Sequence, residues 1–262
     1  MERERLVENS SVAIKGSING IVGSIIYSLF LSFIVSIILT IVVSNSNPGA
    51  SNEVLETLVN EKYNALSLGL IISIISNIIA FLIFIIVIGK EKIILLLKNI
   101  FTSKSLKYGL IVGACIVAFS MTYNIIIASI FKLDGGGNAN QETVTSLIAS
   151  SPILGFISVV VLAPIVEELT YRYCLFGGVS KKKKWLGYLI SGLVFMAMHA
   201  ISSYSEAGGF NSAFAQELIY LPPYLFSGLA LCYAYDKSGY LGSGICAHAF
   251  NNLLSFIMVV LL

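Results

Sequence analysis

The chain has 262 residues, 56% hydrophobic and only 11% charged, with a formal net charge of +2 and a mean hydropathy of +0.89. A soluble domain carries roughly 25% charged residues to cover its surface, so this composition excludes a secreted soluble domain and a disordered chain. The small net charge also excludes nucleic acid as the partner; the solvent around most of the chain is lipid.

Charges fall in clumps, and the gaps between clumps define the spans. About 20 mostly apolar residues suffice to cross a bilayer as a helix. Seven stretches qualify: Ile21–Val43, Leu68–Ile88, Tyr108–Phe131, Leu147–Val166 and onward, Trp185–Ser202, Phe214–Tyr235 and Leu241–Leu262. Lipid offers no partner to the backbone groups of an open strand, so helices are required. The fold expected is an all-α polytopic membrane helix bundle of about seven transmembrane helices. Glu91–Phe101, rich in Ile and Leu between lysines, is an interfacial segment or an eighth, half span. The Gly/Asn-rich stretch Asp134–Asn140 is expected to be a flexible outer loop. Pro222-Pro223 is expected to kink the sixth helix.

Lys and Arg alternate across these spans. Thirteen lie in the N-terminal tail and the even-numbered loops and two in the odd-numbered loops, with Arg172 set aside as a span residue. By the positive-inside rule the N-terminus is cytoplasmic and the C-terminus outside. The Lys181–Lys184 run reads as a topology anchor. The first apolar run, 23 residues long without a small-residue cleavage pattern, reads as an anchor and not a signal peptide. Cys115, Cys174, Cys232 and Cys246 sit in or beside apolar spans at no metal-ligand spacing, which points to packing.

The exceptional charges are Glu167, Glu168 and Arg172, at the end of the fourth span. Ionisable groups at membrane depth cost on the order of 2.5–3.5 kcal/mol each and mark functional sites. Glu168 and Arg172, four apart, share a helix face and can pair. Glu167 points about 100° away and is the carboxylate left over, which suits a general base. Pro164, three residues earlier, is expected to break or kink the helix and free backbone groups there. The plainer explanation is a structural ion pair between helices.

Both histidines of the chain lie within apolar spans, His199 in the fifth and His248 in the seventh. Phe195, four residues before His199, can shield its ring. Asn252, four after His248, projects from the same face, and Asn251 points about 100° away. Polar faces on apolar helices turn inward, so the three helices are expected to meet at one cavity. Two chemistries fit. Glu167 and His199 can deprotonate a water while His248 and Asn252 donate to the oxyanion. Alternatively, Glu167, His199 and His248 can hold a zinc ion with an open position, although HExxH is absent.

These segments resemble a known family. EELTYR (Glu167–Arg172) resembles the EExxxR motif, FMAMH (Phe195–His199) the FxxxH motif and HAFNN (His248–Asn252) the HxxxN motif of the CPBP (Abi) intramembrane proteases. That group includes type II CAAX prenyl endopeptidases and bacteriocin-immunity proteins. Ala163-Pro164 and the stretch Phe226–Asn252 are also similar, so the resemblance covers about residues 150–256. It implies a catalytic membrane domain over 146–262, preceded by transmembrane helices over 1–145 that carry no family signal. Glu167 would be the catalytic glutamate, His199 would help activate water, His248 with Asn252 would stabilise the oxyanion, and Glu168 and Arg172 would support them. Both metalloprotease and metal-independent glutamate-protease chemistry are described for this family. Tyr173 departs from it, where members often carry Gly.

The implied activity is hydrolysis of membrane-associated peptides or lipid-anchored proteins in a cell membrane, bacterial plasma membrane being favoured over endoplasmic reticulum. The competing class is a non-catalytic scaffold or bacteriocin self-immunity protein; it leaves two carboxylates, two histidines and an asparagine on facing helices unexplained. A proton pathway through Glu167, Glu168 and the histidines is a third, weakened because the rest of the spans lack further ionisable residues, Glu217 near the outer end of the sixth span aside.

Overall fold

The computed structural model describes residues 9–131, 139–206 and 209–261. Every regular element among them is helical: α1 (Ser10–Ser46), α2 (Asn52–Ala65), α3 (Leu68–Ile88), α4 (Lys90–Lys98), α5 (Ser103–Phe131), α6 (Ala139–Ser150), α7 (Pro152–Ser180), α8 (Lys184–Glu206), α9 (Ser212–Glu217), α10 (Pro222–Ser238) and α11 (Leu241–Leu261). Seven are long and apolar enough to cross a membrane, namely α1, α3, α5, α7, α8 over Lys184–Ile201, α10 with its preceding turn from Leu218, and α11.

Several expectations change in detail. Of the two readings of Glu91–Phe101, the half span gives way: α4 has 9 residues, too short to cross a bilayer, and buries Ile93 and Leu96 in the core. The sixth span begins at Leu218 and not at Phe214, because α9 is a separate helix. Pro222 and Pro223 lie inside that span, where the 3₁₀ turn Leu218–Tyr220 ends, and take the first positions of α10, where the missing N–H would be unpartnered anyway. Of Asp134–Asn140, residues 134–138 lie outside the described residues, and Ala139 and Asn140 begin α6 rather than a loop. Pro164 leaves α7 continuous, but the helix widens to π geometry on both sides of it, at Phe156–Leu162 and Leu169–Phe176. Such widenings concentrate at functional sites.

The main core cluster joins early and late helices, packing Ala13, Ala80, Phe84, Ile93 and Leu96 with Val166, Leu169, Cys174, Cys232, Tyr235 and Ile245. Tyr173 belongs to the same core. Within lipid, apolar contact alone gives little preference for one helix partner over another, and polar and small residues supply it. Asn19 donates to the Ala80 carbonyl at 2.9 Å and accepts from Tyr27 Oη. Ser28 meets Ser76, and Ser73 meets Ser158 at 2.8 Å. Gly109 and Gly113 form a GxxxG face on α5 that lies against Cys246, Ala247 and Phe250 of α11; a methyl group at Gly113 would stand 3.0 Å from the Ala247 carbonyl oxygen. That close approach fixes the height of α11, the helix that carries His248.

Candidate active site

Glu167 and Glu168 are adjacent, yet α7 sends them to different places. Glu168 and Arg172 are wholly buried and pair at 3.0 Å across one turn. The guanidinium lies 4.5 Å from the Phe195 ring centre and 5.6 Å from that of Tyr171, an arrangement in which the ring faces attract the cation. Glu168 Oε1 also accepts from His248 Nδ1 at 3.0 Å. Glu167 lines a cavity of about 870 Å³ together with His199, His248, Asn251 and Asn252. Its Oε2 stands 3.9 Å from His248 Nε2.

The cavity is bounded by α3, α5, α6, α7, α8, α10 and α11, and its wall mixes Leu, Ile and Val with Ser73, Ser120, Ser158 and Ser227. The three polar faces read from the sequence therefore converge on one space. Glu168 and Arg172 stand behind that wall.

His199 is held on two sides. Its Nδ1 lies 2.8 Å from the Phe195 carbonyl, and a carbonyl can only accept, so Nδ1 carries the proton and Nε2 of the neutral ring keeps its lone pair. The ring lies between Phe195, centroids 4.4 Å apart, and Tyr224, stacked at 4.6 Å. Phe195 thus shields His199 as its spacing predicts and also provides its acceptor. Tyr224 had no sequence signal, because it comes from a helix with no local relation to His199.

Two contacts of α11 differ from the helical-wheel expectation. His248 pairs by its Nδ1 with Glu168, the carboxylate already assigned to Arg172. Asn251 does not point away: its amide donates to Asn252 Oδ1 at 3.2 Å, and both asparagines reach the cavity. Asn252 Nδ2 in turn donates to the Val159 carbonyl of α7 at 2.9 Å.

Among the described residues no three His, Cys, Asp or Glu side chains converge in an arrangement that could hold a metal ion. Glu167, His199 and His248, the candidate zinc ligands, share the cavity without forming such a set.

Residues 149–254 match the family model for type II CAAX prenyl endopeptidase Rce1-like proteins. These residues include all three motifs. An uncharacterized protein of Mycoplasma capricolum subsp. capricolum is 28% identical over 175 residues, covering 62% of this chain and 47% of that protein. The chain thus spans about half the length of the curated relative it matches. No solved structure is significantly similar.

Proposed function

We propose, from the Rce1-like match over residues 149–254, that the chain is an intramembrane endopeptidase whose catalytic domain is residues 146–262. The observation that carries this reading is the convergence of Glu167, His199, His248 and Asn252 on one cavity. The substrates are membrane-associated peptides or lipid-anchored proteins, and the membrane is a bacterial plasma membrane with the N-terminus cytoplasmic. The bacterial relative supports that location.

In this reading Glu167 takes a proton from a water in the cavity, and His199, through Nε2, orients that water. The nascent hydroxide attacks the peptide carbonyl carbon. The oxyanion receives hydrogen bonds from His248 Nε2–H and the Asn252 amide. His248 Nδ1 already donates to Glu168, so His248 acts here as an imidazolium with both N–H groups present. Two carboxylates, Arg172 and this imidazolium then sum to no net charge, which suits a site within lipid. Glu167 returns its proton to the leaving amine as the C–N bond breaks. A positioned base contributes typically 10²–10⁴-fold, and loss of one oxyanion donor costs about 10²–10³-fold.

The test is cleavage of lipid-anchored and leader-peptide substrates in liposomes by wild type, Glu167→Gln, Glu167→Ala and His199→Ala, with and without a zinc chelator. Wild-type cleavage that Glu167→Gln abolishes and the chelator leaves intact is the expected result. Equal cleavage by Glu167→Gln would overturn the reading, and loss to the chelator would return the metal chemistry.

A further inference from the structure

The Val159 carbonyl has lost its helical donor for a reason written in the sequence. Val159 lies in the π run Phe156–Leu162, where Ala163 N–H bonds five residues back to Ser158 O. The next bond in that register would join residue 164 to Val159 O. Residue 164 is proline, which has no N–H. Membrane helices tolerate such a residue when a neighbouring helix re-satisfies the freed group. Here the group is met by Asn252 Nδ2 of α11, 93 residues away, at 2.9 Å.

This contact fixes more than the backbone. Val159 O can only accept, so the Asn252 amide must turn its NH₂ toward α7 and its Oδ1 away, where Asn251 Nδ2 donates to it at 3.2 Å. An amide NH₂ has two N–H groups. One is held by Val159, and the other is left in the cavity with its direction set.

We propose that Pro164 and Asn251 are positioning residues of the oxyanion side of the site: Pro164, by withholding its N–H, and Asn251, by holding Oδ1, orient the Asn252 amide. The inference rests on the protease reading for its consequence, while the clamp itself is a property of the fold. The same proline lies three residues before Glu167, so the clamp also ties the helix of the base to the helix of the oxyanion donors.

Pro164→Ala restores an N–H that competes for Val159 O and frees the Asn252 amide to swing. A donor misplaced by an ångström can cost about 10²-fold, so the expected loss is about 10- to 100-fold in kcat with KM within about twofold. Asn251→Asp, which leaves the backbone alone and sets a carboxylate against Asn252 Oδ1, should lower kcat in the same way, with partial rescue by Asn251→Gln. Thermal unfolding in detergent gives a readout that does not depend on activity. Asn252→Leu should lower Tm by about 2–4 °C in the wild-type background and by less than half as much in Pro164→Ala, because Val159 O there has a backbone donor.

Additive Tm shifts, or unchanged kcat in both Pro164→Ala and Asn251→Asp, would overturn the proposal. If wild type cleaves no substrate, the protease reading falls. The clamp is then decided by the Tm cycle, where coupling sustains it and additivity overturns it. Should Pro164→Ala fail to fold, kcat of Asn251→Asp decides.

Discussion

Helix α1 buries 6% of its most apolar stretch, whereas α7 buries 44%, although both are long enough to span. Leu29, Phe30 and Phe33 of α1 are more than 60% exposed, while Glu168 and Arg172 of α7 are fully buried. The more polar of the two helices is the one inside. In water the opposite sorting would hold, but lipid is as apolar as leucine and does not push apolar side chains inward. What drives a helix to the centre here is its need to hide charge and to supply polar partners.

That comparison predicts where substitutions matter. Glu167→Gln in α7 should lower cleavage on the order of 10²–10⁴-fold without a change in Tm, measured in liposomes and by thermal unfolding. Arg172→Ala strands the Glu168 carboxylate in the core and should destabilise the fold by about 3–5 kcal/mol; denaturant titration in detergent reads this, and a loss below 1 kcal/mol would mean the pair is hydrated. Gly244→Ala tests the space around that pair from α11. A methyl group there would stand 2.5 Å from Glu168 Oε2, and overpacking of this kind costs about 1–3 kcal/mol.

Tyr224→Leu removes the stacked ring from His199. It should reduce kcat by a factor corresponding to about 0.5–1.5 kcal/mol, with no change in topology by cysteine accessibility. At the far end of the scale, Phe33→Ala on α1 should shift stability by no more than about 0.5 kcal/mol. A larger shift would mean that this face is covered by a partner.

Most of the spans were legible because the cost of charge in lipid is a local matter: a gap in the charges is a helix. The ends were less legible. Ser212–Glu217 joins the sixth apolar run in composition, yet it forms its own helix before the two prolines start α10. Helix α2 gave no apolar signal; Ser51 caps it, accepting from Val54 N. The candidate site was legible as a set of helix faces. Its partners were not, since Tyr224, Gly244 and the Val159 carbonyl each lie on a different helix from the residue they meet and carry no pattern of their own.

By itself the sequence determined the apolar spans, the pairing of Glu168 with Arg172 and the polar faces at Glu167, His199 and His248, because spacing along a helix dictates which side chains share a face. Tertiary structure decided which carboxylate His248 contacts, which nitrogen of His199 keeps its lone pair and where the Asn252 amide points. Two of those depend on an acceptor from a distant part of the chain, the Glu168 carboxylate 80 residues away and the Val159 carbonyl that Pro164 leaves open, while the Phe195 carbonyl lies one turn back from a His199 ring packed against Tyr224 of α10.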